Sequence, residues 1–215
     1  LMSCLDSGEL RVSGFAGNWN SKNLQRLRRQ TGMIFQQHQL IGRRTALQNV
    51  LMGRLGYHSV FRSIFPLSVQ EQELGLRSLR RVGLLDKALC RVDELSGGQQ
   101  QRVGIARVLT QQPRTILADE PVASLDPATA EKVMDLIHSV CREDGITAVV
   151  SLHQVDLARK YANRIVGMSA GRIVFDGVPA DLTQPKVDEL YRNQPDVRQT
   201  ARQGRVVNFP VPLAS

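Results

Sequence analysis

Three stretches deliver reactive side chains where an apolar run stops. The run "RTILADEP" (residues 114–121) is apolar up to Ala118 and then presents two carboxylates, Asp119 and Glu120. A carboxylate at the rim of a strand is a hard oxygen donor that can hold Mg²⁺ directly or through water. Its neighbour points differently and could accept a proton from an attacking water. Acidic residues also follow strands simply as solvated loop starts, so the pair alone leaves both readings open. "ITAVVSLHQ" (146–154) stops at His153, whose imidazole can donate to a phosphate oxygen or fill a structural surface role. "TGMIFQQ" (31–37) ends in Gln36, a residue that alone carries almost no chemical information.

A fourth stretch, "DELSGGQQQRVGIARVL" (93–109), sets Gly97 and Gly98 at the start of a helical pattern. Each glycine costs a helix interior about 1 kcal/mol relative to alanine. A helix start offers unpaired N–H groups and the positive end of the dipole, which together suit an anion. Ser96 can cap that turn or touch the anion, and the two glycines let the main chain come close. Tight packing against a neighbouring helix is the alternative, with almost equal weight on these residues alone.

The elements that must position these groups follow from periodicity. Residues 1–17 read as the tail of a helix and then a strand at 9–12. Residues 46–92 turn helical, with a capping box from Ser68 to Glu71 and an irregular connector over 53–66. Asp126 and Pro127 cap and open a helix whose apolar face is Ala130, Val133, Met134, Ile137 and Cys141. A hairpin is predicted over 164–177, a short helix over 186–192, and a loosely ordered polar tail over 195–215. Strands apolar throughout, alternating with helices, predict an α/β fold with a mostly parallel sheet covered on both faces. Ligands in such sheets bind at the carboxyl ends of the strands, where Gln36, the Asp119–Glu120 pair and His153 all fall.

The 215 residues suffice for a full core, and no apolar run reaches the roughly 18 residues of a membrane helix. The formal charge is +8, with arginine supplying 23 of the 28 basic residues. These arginines are scattered and lack interleaved aromatics, so no nucleic-acid partner is expected. Cys4, Cys90 and Cys141 lie far apart; Cys141 is expected as a buried, reduced thiol. His38, His58 and His138 have no partner at metal-ligand spacing.

In succession, "LSGGQQQR", "TILADEP", "ASLD" and "SLH" resemble the nucleotide-binding subunit of an ABC transporter over nearly the whole chain. The resemblance implies a P-loop NTPase-like sheet with a helical subdomain over 46–95 and a small antiparallel portion, in one domain spanning 1–215. It implies ATP and Mg²⁺ as cofactors. Gln36 would be the Q-loop residue at the nucleotide and metal, Ser96, Gly97, Gly98 and Gln99 the signature, and Asp119 the magnesium carboxylate. Glu120 would be the catalytic base, His153 the switch histidine, and Asp126 part of the D-loop over 124–126. Such subunits pair head to tail with a second copy. They work under transmembrane permease subunits, here expected to dock on residues 40–66, at the cytoplasmic face of the bacterial inner membrane.

Longer matches, including "VFRSIF" and "GITAVVSLHQVDLARKYANRIVG", are similar to the ATPase subunits of phosphonate importers, which serve a phosphonate-binding protein indirectly. Importers for amino acids or metals share much of this pattern. A soluble ABC-type ATPase of DNA maintenance is the reading the basic charge alone would favour, and no heptad run supports it. The family's phosphate loop, Gly-x-x-x-x-Gly-Lys-[Ser/Thr], is absent from these residues, which hold no Gly-Lys pair. "LMSCL" resembles the helix that follows that loop, so the chain is expected to begin just past it. On that expectation residues 1–215 by themselves hydrolyse ATP negligibly, and a non-catalytic remnant stays open beside a fragment of an active subunit.

Overall fold

The computed structural model describes residues 11–12, 15–16, 21–36, 39–58 and 67–192. These divide into two compact units, with the boundary between His153 and Gln154.

The first unit opens with a short antiparallel pair, β1 (Arg11–Val12) and β2 (Phe15–Ala16), followed by α1 (Ser21–Gln30). Its sheet is parallel, with β3 (Thr31–Ile34), β4 (Thr115–Asp119) and β5 (Thr147–Ser151) side by side in that order. Between β3 and β4 lies the helical part. α2 (Ala46–Leu51) starts in a capping box of Thr45 with Gln48 and tightens into a 3₁₀ helix, Met52–Tyr57. α3 (Val69–Arg81) starts in the predicted box of Ser68 with Glu71, satisfying donors that a helix start leaves open. Two 3₁₀ turns, Leu85–Lys87 and Val92–Glu94, lead to α4 (Gly97–Gln111). α5 (Pro127–Asp144) follows β4, capped by Asp126 and ended by Gly145 at φ +64°, where a side chain would be strained.

α4 is the centre of this unit. It packs against β3, α2, α3 and α5, and Val103, Ile105, Ala106, Val108 and Leu109 are buried along it. Burying five such side chains supplies the apolar contact that steadies the surrounding helices. Close approach is made possible by missing side chains: a Cβ at Gly32 would overlap Val108, and one at Gly53 would overlap the carbonyl oxygen of Arg107.

Polar fasteners complete the attachment. Tyr57 Oη donates to the carbonyl of Gln111 at 2.9 Å, and the Arg54 guanidinium lies 3.9 Å from the Tyr57 ring centre. The Gln111 amide reaches the carbonyls of Arg28, Arg29 and Thr31 at 2.7, 3.1 and 2.9 Å. Glu71 contacts His58 Nε2 at 2.7 Å and accepts from Arg54 Nε at 3.4 Å. Burial pushes the Glu71 carboxyl up, but the hydrogen bonds from His58, Arg54 and the Ser68 N–H together outweigh it and hold the group below its ordinary range.

The second unit is α6 (Val155–Tyr161), the hairpin β6 (Ile165–Ser169) and β7 (Arg172–Gly177), a 3₁₀ turn at Pro179–Asp181, and α7 (Gln184–Arg192). Ala170 and Gly171 turn the hairpin with φ of +49° and +74°, the sign that matches strand twist. Phe175, Leu182 and Val187 form its buried centre.

Several expectations are corrected. β5 is apolar but largely exposed, with Val149 at 60%, because only β4 pairs with it among the described residues. Cys141 is half-buried, not buried; Val140 takes the buried position on α5. Residues 53–57 of the expected irregular connector belong to the 3₁₀ helix Met52–Tyr57, and 59–66 lie outside the described residues. β4 stops at Asp119, the first of the two carboxylates, as expected, whereas α7 starts two residues before the predicted 186. The expected helix tail, residues 9 and 10 of the first strand, and the tail over 195–215 lie outside the described residues.

Two tests follow from the fastening. Gly53→Ala forces the 3₁₀ turn off α4 and lowers stability by about 2–3 kcal/mol in urea denaturation, since main chain, not a flexible tip, opposes the new methyl. Glu71→Gln is destabilising at neutral pH. A carboxylate held low contributes above its unfolded pKa and loses that contribution as pH falls through its lowered folded value. The Tm gap between wild type and Glu71→Gln therefore closes below about pH 4.

Candidate active site

The parallel ladder aligns the strand ends. Ile34 of β3 lies opposite Ala118 of β4, and Asp119 lies opposite Ser151 of β5. Gln36, exposed, follows β3 by two residues, and His153 follows β5 by two. The structure thus brings Gln36, the Asp119–Glu120 pair and His153 out at one end of one sheet, as the sequence predicts.

Contacts among them are specific. Ser151 Oγ donates to Asp119 Oδ1 at 2.8 Å and accepts the Glu120 N–H at 3.0 Å. Glu120 itself sits at φ +45°, a left-handed backbone that non-glycine residues seldom adopt. Its carboxylate Oε1 meets His153 Nε2 at 2.6 Å, with the histidine side chain 69% exposed. A contact so open to water adds little to stability.

The donor set fits magnesium. Mg²⁺ is usually held by one or two carboxylates, with water and substrate phosphates completing its shell. Asp119 offers such a carboxylate with only one oxygen hydrogen-bonded. Among the described residues no cluster of three His, Cys, Asp or Glu side chains forms a closed metal cage.

The remaining predicted residues collect elsewhere in the same unit. Ser96, Gly97, Gly98, Gln99 and Asp126 line an open cleft of about 690 Å³ with Arg102 and Lys132. Ser96 and Gln99 cap each other: Gln99 N–H reaches Ser96 Oγ at 3.4 Å, and Ser96 N–H reaches Gln99 Oε1 at 2.9 Å. Asp126 accepts the Thr129 N–H at 3.0 Å, and hydrogen bonds from the Thr129 side chain and main chain hold its carboxyl below the usual range. The two glycines have different reasons. A Cβ on Gly98 would lie 2.6 Å from Thr129 Cγ2, whereas one on Gly97 would meet nothing. Gly98 is therefore a packing glycine, and Gly97 leaves main chain open to the cleft.

Residues 2–123 match the family model described as ABC transporter. The chain belongs to the ABC transporter family. It is 57% identical over 203 residues to the phosphonates import ATP-binding protein PhnC 3 of Nostoc sp., covering 92% of this chain and 78% of that protein. It is 60% identical over 168 residues to the phosphite import ATP-binding protein PxtA of Stutzerimonas stutzeri, covering 78% of this chain and 61% of that protein. Among solved structures, cbiO1 from Clostridium perfringens, part of the ABC transporter complex cbiONQ, matches with a TM-score of 0.73 at 25% identity, over 92% of this chain and 76% of that one. The dimeric post-hydrolysis structure of the ATP-binding cassette MJ0796 with ADP and Pi matches at 0.66 and 35% identity, over 81% and 74%.

This ABC cassette holds one residue at its strand ends, the serine of "SLH", to which the sequence reading gave no role. Ser151 was hidden inside a run read as apolar; the signal was a lone hydroxyl between Val150 and Leu152, two residues before His153. Arg102 and Lys132 of the cleft carried no sequence signal beyond their place on helices.

The unequal glycines give opposite outcomes on substitution. Gly98→Ala costs about 1–3 kcal/mol by pushing on Thr129 in the first turn of α5. Gly97→Ala leaves stability equal or higher by up to about 1 kcal/mol. Urea denaturation of the two variants side by side measures the difference.

Proposed function

We propose that this chain is the ATP-hydrolysing subunit of an importer for phosphonates or the related oxyanion phosphite. The observation that carries it is the strand-end group: Asp119 tied to Ser151, with Glu120 in contact with His153. Bound Mg²⁺ neutralises charge on the transferred phosphoryl group and orients it. Asp119 holds the hydrated cation through its uncommitted oxygen. Glu120 takes the proton of the attacking water, and His153, in contact with that carboxylate, orients it and donates toward phosphate. Gln36 reaches the same rim from β3, at the metal and nucleotide.

The signature cleft shares no lining residue with the strand-end group. That separation supports a head-to-tail pair, in which Ser96, Gly97, Gly98, Gln99 and Asp126 of one copy close on ATP held by the other. In this reading residues 46–95 are the helical subdomain, the transmembrane permease subunits dock on residues 40–66, and the pair sits at the cytoplasmic face of the inner membrane. No described helix is long and apolar enough to cross a membrane. The identities to PhnC 3 and PxtA support a phosphorus oxyanion as the imported class.

These 215 residues contain no Gly-Lys pair and so no lysine-bearing phosphate loop, the part that cradles the β- and γ-phosphates. Residues 1–215 alone therefore retain Mg-ATP weakly, and titration calorimetry returning micromolar affinity overturns this point. In the transporter, Glu120→Gln lowers ATP hydrolysis by about 100-fold or more while nucleotide affinity stays within about twofold. Deleting the gene abolishes growth on a phosphonate or phosphite as sole phosphorus source; unimpaired growth on both redirects the assignment to an amino-acid or metal importer.

A further inference from the structure

We propose that Ser151 is a positioning residue for hydrolysis, fixing the metal carboxylate and the base through one hydroxyl. The inference rests on the roles given above to Asp119 and Glu120. Ser151 is the last residue of β5 and pairs in register with Asp119. Its Oγ donates to Asp119 Oδ1 at 2.8 Å and accepts the Glu120 N–H at 3.0 Å. Those two bonds point in complementary senses; the Ala118 carbonyl, the other acceptor near the hydroxyl, is farther at 3.5 Å, so the charged carboxylate at 2.8 Å takes the proton and a lone pair meets the amide.

Each bond has a separate consequence. The first restrains one oxygen of the exposed Asp119 carboxylate and leaves the other for a hydrated cation. The second satisfies the first amide beyond the end of β4 and holds Glu120 in its left-handed backbone at φ +45°. A non-glycine residue does not stay in that region without a local hydrogen bond or packing to hold it. With that peptide fixed, the Glu120 side chain lies against His153, two residues beyond Ser151 and the end of β5. One hydroxyl therefore sets the spacing between the metal carboxylate and the base. A methyl or isopropyl group in its place keeps the strand but frees both.

Ser151→Thr and Ser151→Val test this, since both are β-branched, suit a strand and differ in the hydroxyl. Two readouts are needed. In residues 1–215 without nucleotide, amide hydrogen exchange at Glu120 is expected to accelerate about tenfold or more in Ser151→Val and to stay near wild type in Ser151→Thr. In the subunit assembled in its transporter, the Mg²⁺ concentration for half-maximal ATP hydrolysis rises about tenfold in Ser151→Val, the order of one charge-assisted hydrogen bond. Ser151→Thr restores it. The KM for ATP at saturating Mg²⁺ moves little in either variant. Ser151→Ala gives the same pattern as valine and stands in where valine disturbs the strand. Equal exchange and equal Mg²⁺ requirement in the threonine and valine variants overturn the inference. If Asp119→Asn and Glu120→Gln hydrolyse ATP normally, the reading of the site fails instead, and the two failures are told apart.

Discussion

The pairing of β4 with β5 is the constraint on which the site depends. Parallel hydrogen bonding from Thr115 opposite Thr147 to Asp119 opposite Ser151 brings both strands to an end at the same level. A slip of one residue would turn every side chain of one strand to the other face and part the Asp119 carboxylate from the Ser151 hydroxyl. β3, in register on the other side of β4, brings Gln36 to the same rim. Main-chain geometry thus assembles side chains more than 30 positions apart, and only the last step, from strand end to carboxylate, is left to rotamers.

α4 joins this rim to the signature cleft. Its first turn, Gly97 and Gly98, lines the cleft, while Arg107 in its third turn donates to the carbonyl of Gln39 at 2.8 Å. Gln39 lies three residues beyond Gln36 and sits at φ +45°, so the loop leaving β3 is held by the signature helix itself. Farther along, Gln111 holds the carbonyls of Arg28, Arg29 and Thr31 at the entry to β3. Five buried apolar side chains along its length pack this helix into the core between the two places.

Much of this was legible because the deciding features are local in sequence. The capping pairs Ser68–Glu71 and Ser96–Gln99 announce helix starts within four residues, and the apolar runs before Asp119 and His153 announce strand ends. What escaped depends on pairing across the fold. Ser151 reads as one polar residue in an apolar run until Asp119 is set beside it. Gly97 and Gly98 are indistinguishable in a string, and only the position of Thr129 makes the second a packing glycine. α1 went unread because "SKNLQRLRRQ" carries two leucines among polar residues, too few for a visible stripe. The exposure of β5 is likewise a matter of which strands pair, which its apolar composition does not encode.

The arginine excess also resolves once partners are visible. Arg81 forks across Glu143 and Asp144, Arg164 clasps Asp176 through two nitrogens, and Arg54 combines Glu71 with the Tyr57 ring. Arg102 and Arg107 donate to main-chain carbonyls instead. A planar, permanently charged fork suits these tasks better than an ammonium does, which gives a structural reason for arginine at these five positions. The strand-end carboxylates are treated differently. Asp119 is met by a hydroxyl, the Glu120 carboxylate by an imidazole and the Glu120 N–H by the same serine. In the proposed roles, a guanidinium there would cancel the negative field that attracts a divalent cation and would lower the basicity a proton acceptor needs. Fasteners of fixed charge serve the scaffold, while neutral or titratable partners hold the carboxylates in place and leave their charge available.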